Sequence, residues 1–322
     1  VRAVQVVSFD GPAAVVVREV AAAEPGPGEV VVEVRAAGVA YPDLLHTRGL
    51  YQERFEPPFT LGGECAGIVA SAPDRSRFAP GDRVVAMVRH GAFAGCVAVP
   101  EFLVQPLPDE VSFVQGACLP VNYLTAHHAL CGRGALAAGE TVLVHGAAGG
   151  IGTATVQLAR ALGARVVAVT SSEEKAALAR RVGAHDVVGA ASFREDVRAL
   201  TGGEGVDVVV DPVGGDRFTD SLRCLRSPGG RVLVVGFVGG SIPTVKVNRL
   251  LLTNTDVRGV GWGGPAFGVP GFVTGQWDAL LPHLRAGALD PPVAEVLPVD
   301  RVADALAALD DRRALGKLVL HF

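Results

Sequence analysis

Residues 142–170 read VLVHGAAGGIGTATVQLARALGARVVAVT, and the order of pieces within them decides the fold. An apolar strand ends at His145, the chain turns through Gly146–Gly152, and a helix runs on to Gly163. A second valine-rich strand then ends at Thr170. Ala147, Gly149 and Gly152 fall on the three small-residue positions of a G-x-G-x-x-G turn. A tight turn needs a small first residue, a side chain at the second would block an approaching diphosphate, and the third lets helix pack on strand. The helix's first N–H groups and its positive end favour the same anion. The turn residues Ala147, Ala148, Gly149, Gly150 and Ile151 are therefore read as dinucleotide contacts. The plain alternative is a glycine-rich turn of an α/β domain that binds nothing.

Working outward, strand and helix keep alternating. SEEKAALARRV forms a helix closed by Gly183, Val187 and Val188 a short strand, and GVDVVVD, a helix through Phe218–Leu225 and RVLVVGF continue the series. Short apolar strands separated by amphipathic helices imply a parallel sheet covered on both faces. Upstream, VVVEVRAAGVA, GIVAS, GDRVVAMV and CVAVP read as strands, with no strong helical pattern before about residue 112. The last segment ends in KLVLHF, hydrophobic enough to return to an existing sheet. The expected architecture is α/β: a doubly wound parallel sheet over 122–262, inserted in a β-rich domain made of 1–121 and 263–322.

Composition agrees. At 322 residues the chain exceeds a typical single core, and 49% hydrophobic with 19% charged residues suits a compact globule. A net charge of −4 gives no electrostatic case for nucleic acid or an anionic membrane as partner. No apolar run reaches 18 residues, and the opening VRAVQVVSFD alternates as a strand does rather than as a secretory signal would. Cys65, Cys96, Cys118, Cys131 and Cys224 are scattered without a C-x-x-C pair, which reads as isolated thiols in a reducing cytoplasm.

After the second strand, Thr170, Ser171 and Ser172 stand where NAD-preferring folds usually carry an acid for the ribose hydroxyls. Hydroxyls here, with Lys175 one turn on, suit a 2′-phosphate, so NADPH is expected over NADH. Ser171 and Glu174 also fit a helix capping box, the structural alternative.

The chain resembles the zinc-independent quinone oxidoreductases of the medium-chain dehydrogenase/reductase superfamily. The resemblance runs nearly end to end, through AAGVAYPD (36–43), GLYQ (49–52), LGGECAGIV (61–69), GDRV (81–84) and LPVNYLTAHHAL (119–130). It continues in VLVHGAAGGIG (142–152), GVDVVVDPVGG (205–215), GGRVLVVGF (229–237), NRLLLTNTDVRGV (248–260) and GKLVL (316–320). It implies a Rossmann domain inserted in a GroES-like catalytic domain, an active site in the cleft, and a homodimer joined through an edge strand near 254–260. In that superfamily the catalytic zinc is held by a Cys in G-x-C-x-x-D and a His in G-H-E. Those positions here are Ala40 and Gly63, neither of which can donate to a metal, so no metal is expected. Glu64 and Cys65 then read as structure around a vacated position. Without a Lewis acid, alcohol oxidation is disfavoured, and quinones or α,β-unsaturated carbonyls are the acceptors implied.

The resemblance also suggests roles. Tyr51 matches a tyrosine that protonates substrate in related enoyl-thioester reductases, and Tyr41 lines the same cleft; aromatic packing is the alternative for each. Asn122 and Thr125 match positions near the nicotinamide, Lys317 a lysine near the cofactor phosphates, and Arg249 a weaker substrate contact. Asp211, Val213, Gly236 and Phe237 follow strands of the parallel sheet, at whose carboxyl ends the cofactor lies. Asp43 reads as a structural ion-pair partner, His127 and His128 as structural, and His46 and His90 as lacking partners at ligand spacing. Two other functions stay open: an enoyl-thioester or biosynthetic alkene reductase, and a non-catalytic NADPH-binding protein of crystallin or sensor type.

Overall fold

Alternating valines make strands throughout the first hundred residues of this computed structural model, which describes residues 1–322. In chain order they are β1 (Arg2–Val6), β2 (Val15–Glu19), β3 (Glu29–Val39), β4 (Phe59–Thr60), β5 (Glu64–Ser71), β6 (Arg83–Met87), β7 (Cys96–Pro100) and β8 (Val104–Pro106). β-Branched side chains suit a pleated, half-buried surface, and Val4, Val30, Val32, Val84, Val85 and Val99 are fully buried. The structure departs from the sequence reading at α1 (Tyr41–Thr47), a helix before residue 112. Seven residues are too few to show a helical period. The helix is set instead by Pro42 in its first turn and by the Asp43 carboxylate, which accepts the Ala40 N–H at 2.7 Å. Next come α2 (Phe113–Gly116), capped by Ser112, and α3 (Pro120–His127), which continues into a π-helical turn at His128–Arg133.

The second unit holds β9 (Thr141–Val144), α4 (Gly150–Ala161), β10 (Arg165–Thr170), α5 (Glu173–Arg181), β11 (Asp186–Gly189) and α6 (Phe193–Leu200). It continues with β12 (Val208–Asp211), α7 (Phe218–Arg223), β13 (Arg231–Val234), α8 (Asn248–Thr253) and β14 (Asp256–Gly259). All six strands are parallel, in the order β11-β10-β9-β12-β13-β14. This is the doubly wound Rossmann order, whose direction of growth reverses between β9 and β12. Leu143, Val167, Val209 and Val232 from four neighbouring strands pack with Phe193, Val197 and Phe218 from α6 and α7. Each such side chain contributes about 1.5–3 kcal/mol by leaving water.

The chain then passes through α9 (Gly263–Gly268), α10 (Phe272–Arg285), β15 (Val293–Pro298), α11 (Val302–Asp310) and β16 (Lys317–His321). β16 returns, as its hydrophobicity implies, to pair with β3 and β15 in a seven-stranded sheet. A smaller sheet has the order β2-β1-β4. One compact unit comprises Val1–Asn122, Ala266–Arg285 and Pro291–Phe322; the other comprises Tyr123–Pro265 and Ala286–Asp290. The sequence reading put the returning boundary at 262/263 and did not separate 286–290. Those residues join the second unit, where Gln157 donates to the Asp290 carbonyl at 2.6 Å and accepts its N–H at 3.0 Å. No helix is long and apolar enough to cross a membrane.

Candidate active site

In the second unit the turn after β9 is built by its glycines. Gly146 has φ 58°, and a Cβ on Gly152 would stand 2.1 Å from the Gly146 carbonyl oxygen, so only glycine lets α4 meet the turn. Gly149 differs: a Cβ there meets nothing nearer than that same oxygen at 3.4 Å. The fold itself therefore tolerates a side chain at 149, and the glycine leaves an open cradle before the helix. Gly149 caps α4 without a side-chain hydrogen bond, leaving the Gly150 and Ile151 N–H groups aimed out of the helix start. Ala147 is buried, its N–H directed at the Val169 carbonyl, while Ala148 is nearly so. This donor set and cradle fit a diphosphate.

At the end of β10, Thr170 is buried and Ser171 and Ser172 are exposed. Ser172, rather than Ser171, caps α5 by accepting the Lys175 N–H at 3.4 Å; the residue three on is then Lys175, which has no acceptor to return, so the capping box expected between Ser171 and Glu174 does not form. Lys175 Nζ lies 3.4 Å from the Ser171 hydroxyl. Glu173 is drawn away into an ion pair with Arg180 at 2.6 Å, which lowers the local negative charge. The Asp211 carboxylate is turned inward, accepting the Val213 and Gly214 N–H groups at 2.8 and 2.9 Å. Asp211 thus shapes the turn after β12 through its side chain. Gly236 and Phe237 sit against that turn, tied by Val235 N–H to the Asp211 carbonyl and by Val238 N–H to the Pro212 carbonyl. Arg249, on α8, makes no ion pair. The sequence reading missed His145: it is buried, hydrogen-bonded to Ser221 at 2.8 Å and edge-on to Phe193, and burial depresses its pKa.

Asn122 and Thr125 stand one turn apart on α3. Both are nearly buried, yet neither side chain has a hydrogen-bond partner in the protein.

In the first unit, Ala40 precedes α1 and Gly63 precedes β5, the two sequence positions at which the resemblance puts metal ligands, and neither carries a donor side chain. A Cβ on Gly63 meets only the Val88 carbonyl, at 3.7 Å, so the space beside it is open. No group of three or more His, Cys, Asp or Glu side chains is placed to hold a metal ion. Glu64 is fully buried; it takes an ion pair from Lys317 and accepts the Val121 N–H at 2.8 Å. Burial pushes its pKa up, while Lys317 and the Val121 N–H oppose that. Lys317, expected near the cofactor phosphates, is only 4% exposed, and its ammonium is engaged by Glu64. Beside Glu64, the Cys65 thiol is buried and pushed up to about 12, so it is no thiolate.

Asp43 is also corrected. It forms no ion pair; it is buried against the Ala40 N–H, and burial pushes its pKa up to about 7. Tyr41 opens α1 and is half-buried. Tyr51 is half-buried in an aromatic cluster that sequence spacing did not reveal. Its ring lies 4.7 Å from the His46 imidazole, and Phe55 sits 5.3 Å from His46 and 4.2 Å from His90. The Tyr51 hydroxyl has no protein partner, and burial, then the charges of Asp43 and Glu53, raise its pKa. Tyr51 is therefore a neutral phenol around pH 7. Its loop is fastened by Glu53 to Arg89, which stacks over Phe267 at 4.9 Å.

Known proteins place this arrangement. Residues 26–109 match the alcohol dehydrogenase GroES-like domain family and residues 150–282 the zinc-binding dehydrogenase family. Quinone oxidoreductase-like protein 2 of Bos taurus is 38% identical over 95% of this chain and 88% of its own length. A probable oxidoreductase of Mycobacterium abscessus is 41% identical with a TM-score of 0.92, covering 100% of this chain and 98% of that one. The mycobacterial protein Rv1454c, solved in complex with NADPH, is 30% identical with a TM-score of 0.92 over the whole of both chains. With a six-stranded Rossmann sheet, a GroES-like unit and relatives that span its length, the chain belongs to the quinone oxidoreductase family of the medium-chain dehydrogenase/reductase superfamily.

Proposed function

We propose that the protein is a metal-free, NADPH-dependent reductase acting on quinones or other α,β-unsaturated carbonyl acceptors. The observation that carries the reading is Tyr51: a protonated, unpartnered phenol in the same unit as two emptied ligand positions, Ala40 and Gly63. NADPH, when bound, supplies the hydride. The Gly150 and Ile151 N–H groups hold its diphosphate at the start of α4, while Ser171, Ser172 and Lys175 meet the 2′-phosphate. Asn122 and Thr125 offer their unpartnered groups to the nicotinamide. Rv1454c, whose complex holds NADPH, supports the cofactor assignment.

The acceptor gains a hydride, which carries two electrons and one proton, and then a second proton. Conjugation spreads the developing negative charge, and Tyr51 donates a hydrogen bond or its proton to the oxygen or carbon that carries it. Tyr41 and Arg249 complete the substrate contacts. The protein acts as a homodimer. β14 presents a free sheet edge, and the nearby Ile242, Val247, Leu251 and Leu252 are each more than 70% exposed, an apolar surface suited to a second copy. All five cysteines are free, consistent with the cytoplasm.

The test is titration with NADPH and NADH, followed by absorbance loss at 340 nm with 1,4-benzoquinone, cyclohexenone and a crotonyl thioester. Turnover confined to the thioester points to an enoyl reductase. Tight NADPH binding without turnover of any acceptor leaves a binding protein and defeats the reading.

A further inference from the structure

We infer that the buried Lys317–Glu64 pair is a positioning device for Asn122, an inference that rests on the reading of Asn122 as a nicotinamide contact. The pair gathers segments far apart in sequence. Lys317 on β16 reaches Glu64 on β5 across 253 residues, and Glu64 reaches the Val121 N–H across 57. β3 passes so close that a Cβ on Gly38 would stand 2.8 Å from Lys317 Cε and 2.9 Å from Glu64 Oε1.

Each carboxylate oxygen has one task. Oε1 meets the ammonium, and Oε2 accepts from Val121, the second residue of α3 and the neighbour of Asn122. That N–H belongs to the first turn, where a helix supplies no acceptor of its own, and a negative group there is favoured by the helix dipole. Lys317 favours the charged form of Glu64 against its burial, and the pairing holds the carboxylate at this place. A buried ion pair adds little net stability compared with apolar groups of the same size. What it adds here is direction: it fixes the point at which the Val121 N–H must lie. The Asn122 carboxamide has no protein partner of its own, so its location follows from the main chain at Val121.

The test compares Glu64→Gln with the double variant Glu64→Gln/Lys317→Met, using NADPH and 1,4-benzoquinone. In the single variant the amide oxygen is drawn to Lys317 and its NH2 group faces the Val121 N–H, donor against donor. In the double variant that oxygen is free to turn to Val121. We expect kcat to fall about tenfold or more in the single variant, as for a small misplacement of a reacting group, and to recover to within about threefold in the double. The Kd for NADPH stays within about threefold throughout, because the diphosphate turn is untouched. A purely structural pair gives a double variant no better than the single, and that result overturns the inference. If Glu64→Gln does not fold, Glu64→Leu/Lys317→Met decides: wild-type kcat with no acceptor at Val121 overturns the inference as well. Should wild-type protein reduce no acceptor, the functional reading fails, and hydrogen exchange at the Val121 amide still judges the pair. Faster exchange in Glu64→Gln than in wild type and the double supports the inference; equal exchange in all three sinks it.

Discussion

The imidazole of His46 packs on the phenol of Tyr51, ring centroids 4.7 Å apart and planes inclined at 56°. His46 is 6% exposed and burial pushes its pKa down to about 4, so a neutral ring faces Tyr51 at physiological pH. No cation lowers the phenol's pKa; burial and the charges of Asp43 and Glu53 raise it. Tyr51→Phe should lower kcat about 10²-fold, the range for loss of a general acid, with NADPH affinity unchanged. The wild-type pH–rate profile should show no loss from phenol ionisation below about pH 10. Unchanged turnover in the phenylalanine variant removes Tyr51 from the mechanism.

His46 should also make the protein less stable in acid. Its folded pKa lies below the ordinary value of 6.5, so the unfolded chain binds the proton more readily. The stability at stake is fully present above pH 6.5 and is lost as pH falls towards 4. His145 acts in the same direction in the second unit. His46→Phe should lessen the fall in Tm between pH 7 and pH 5, measured by thermal unfolding, because a phenyl ring keeps the packing and takes no proton.

Asp43 has the opposite sign. Its folded pKa, about 7, lies above the ordinary value of 3.8, so its contribution is full below 3.8 and lost as pH rises through 7. Glu64 adds to the upward shift, while Lys317 and the N–H groups of Ala40 and Gly62 oppose it. Asp43→Asn keeps an acceptor for the Ala40 N–H without the charge. The variant should unfold at a higher temperature than wild type at pH 8.5, and the gap should close at pH 5. A gap independent of pH would show that Asp43 does not titrate in this range.

Two glycines three residues apart should behave differently. Gly149→Val places its side chain in the open cradle, so NADPH binding should fall beyond detection by calorimetry while Tm shifts little. Gly152→Ala drives a Cβ to 2.1 Å from the Gly146 carbonyl and should destabilise the fold itself, by about 1–3 kcal/mol or more. Equal loss of stability in both would mean that Gly149 is structural.

At the exposed apolar surface, Leu251→Asp/Leu252→Asp should convert the proposed dimer to a monomer in light scattering without lowering NADPH affinity. Both leucines are over 75% exposed in the single chain, so charge there disturbs no core. A dimer that persists places the interface elsewhere.

What could be read from the sequence was local. The turn from His145 to Gly152 is legible because each small residue answers to a neighbour a few positions away. The parallel sheet is legible because runs such as TVLV and VVVD must be covered on both faces. Short devices were harder. α1 has no room for a period, and the cap of α5 falls on Ser172 rather than Ser171, one residue from its expected place. The aromatic cluster joins His46, Tyr51, Phe55, Phe59 and His90 from three segments, and no spacing in the sequence announces it.

The sequence by itself determined the doubly wound sheet, the glycine-built turn after β9 and the lack of donor side chains at Ala40 and Gly63, since a residue's chemistry and its near neighbours suffice for each. Only the tertiary structure decided where the buried charges go. Lys317 looks in sequence like a cation for a phosphate, and Glu64 like the remnant of a metal site. Folding sets them side by side across 253 residues, where a charge removed from water needs its opposite, and no local pattern specifies which distant strand will supply it.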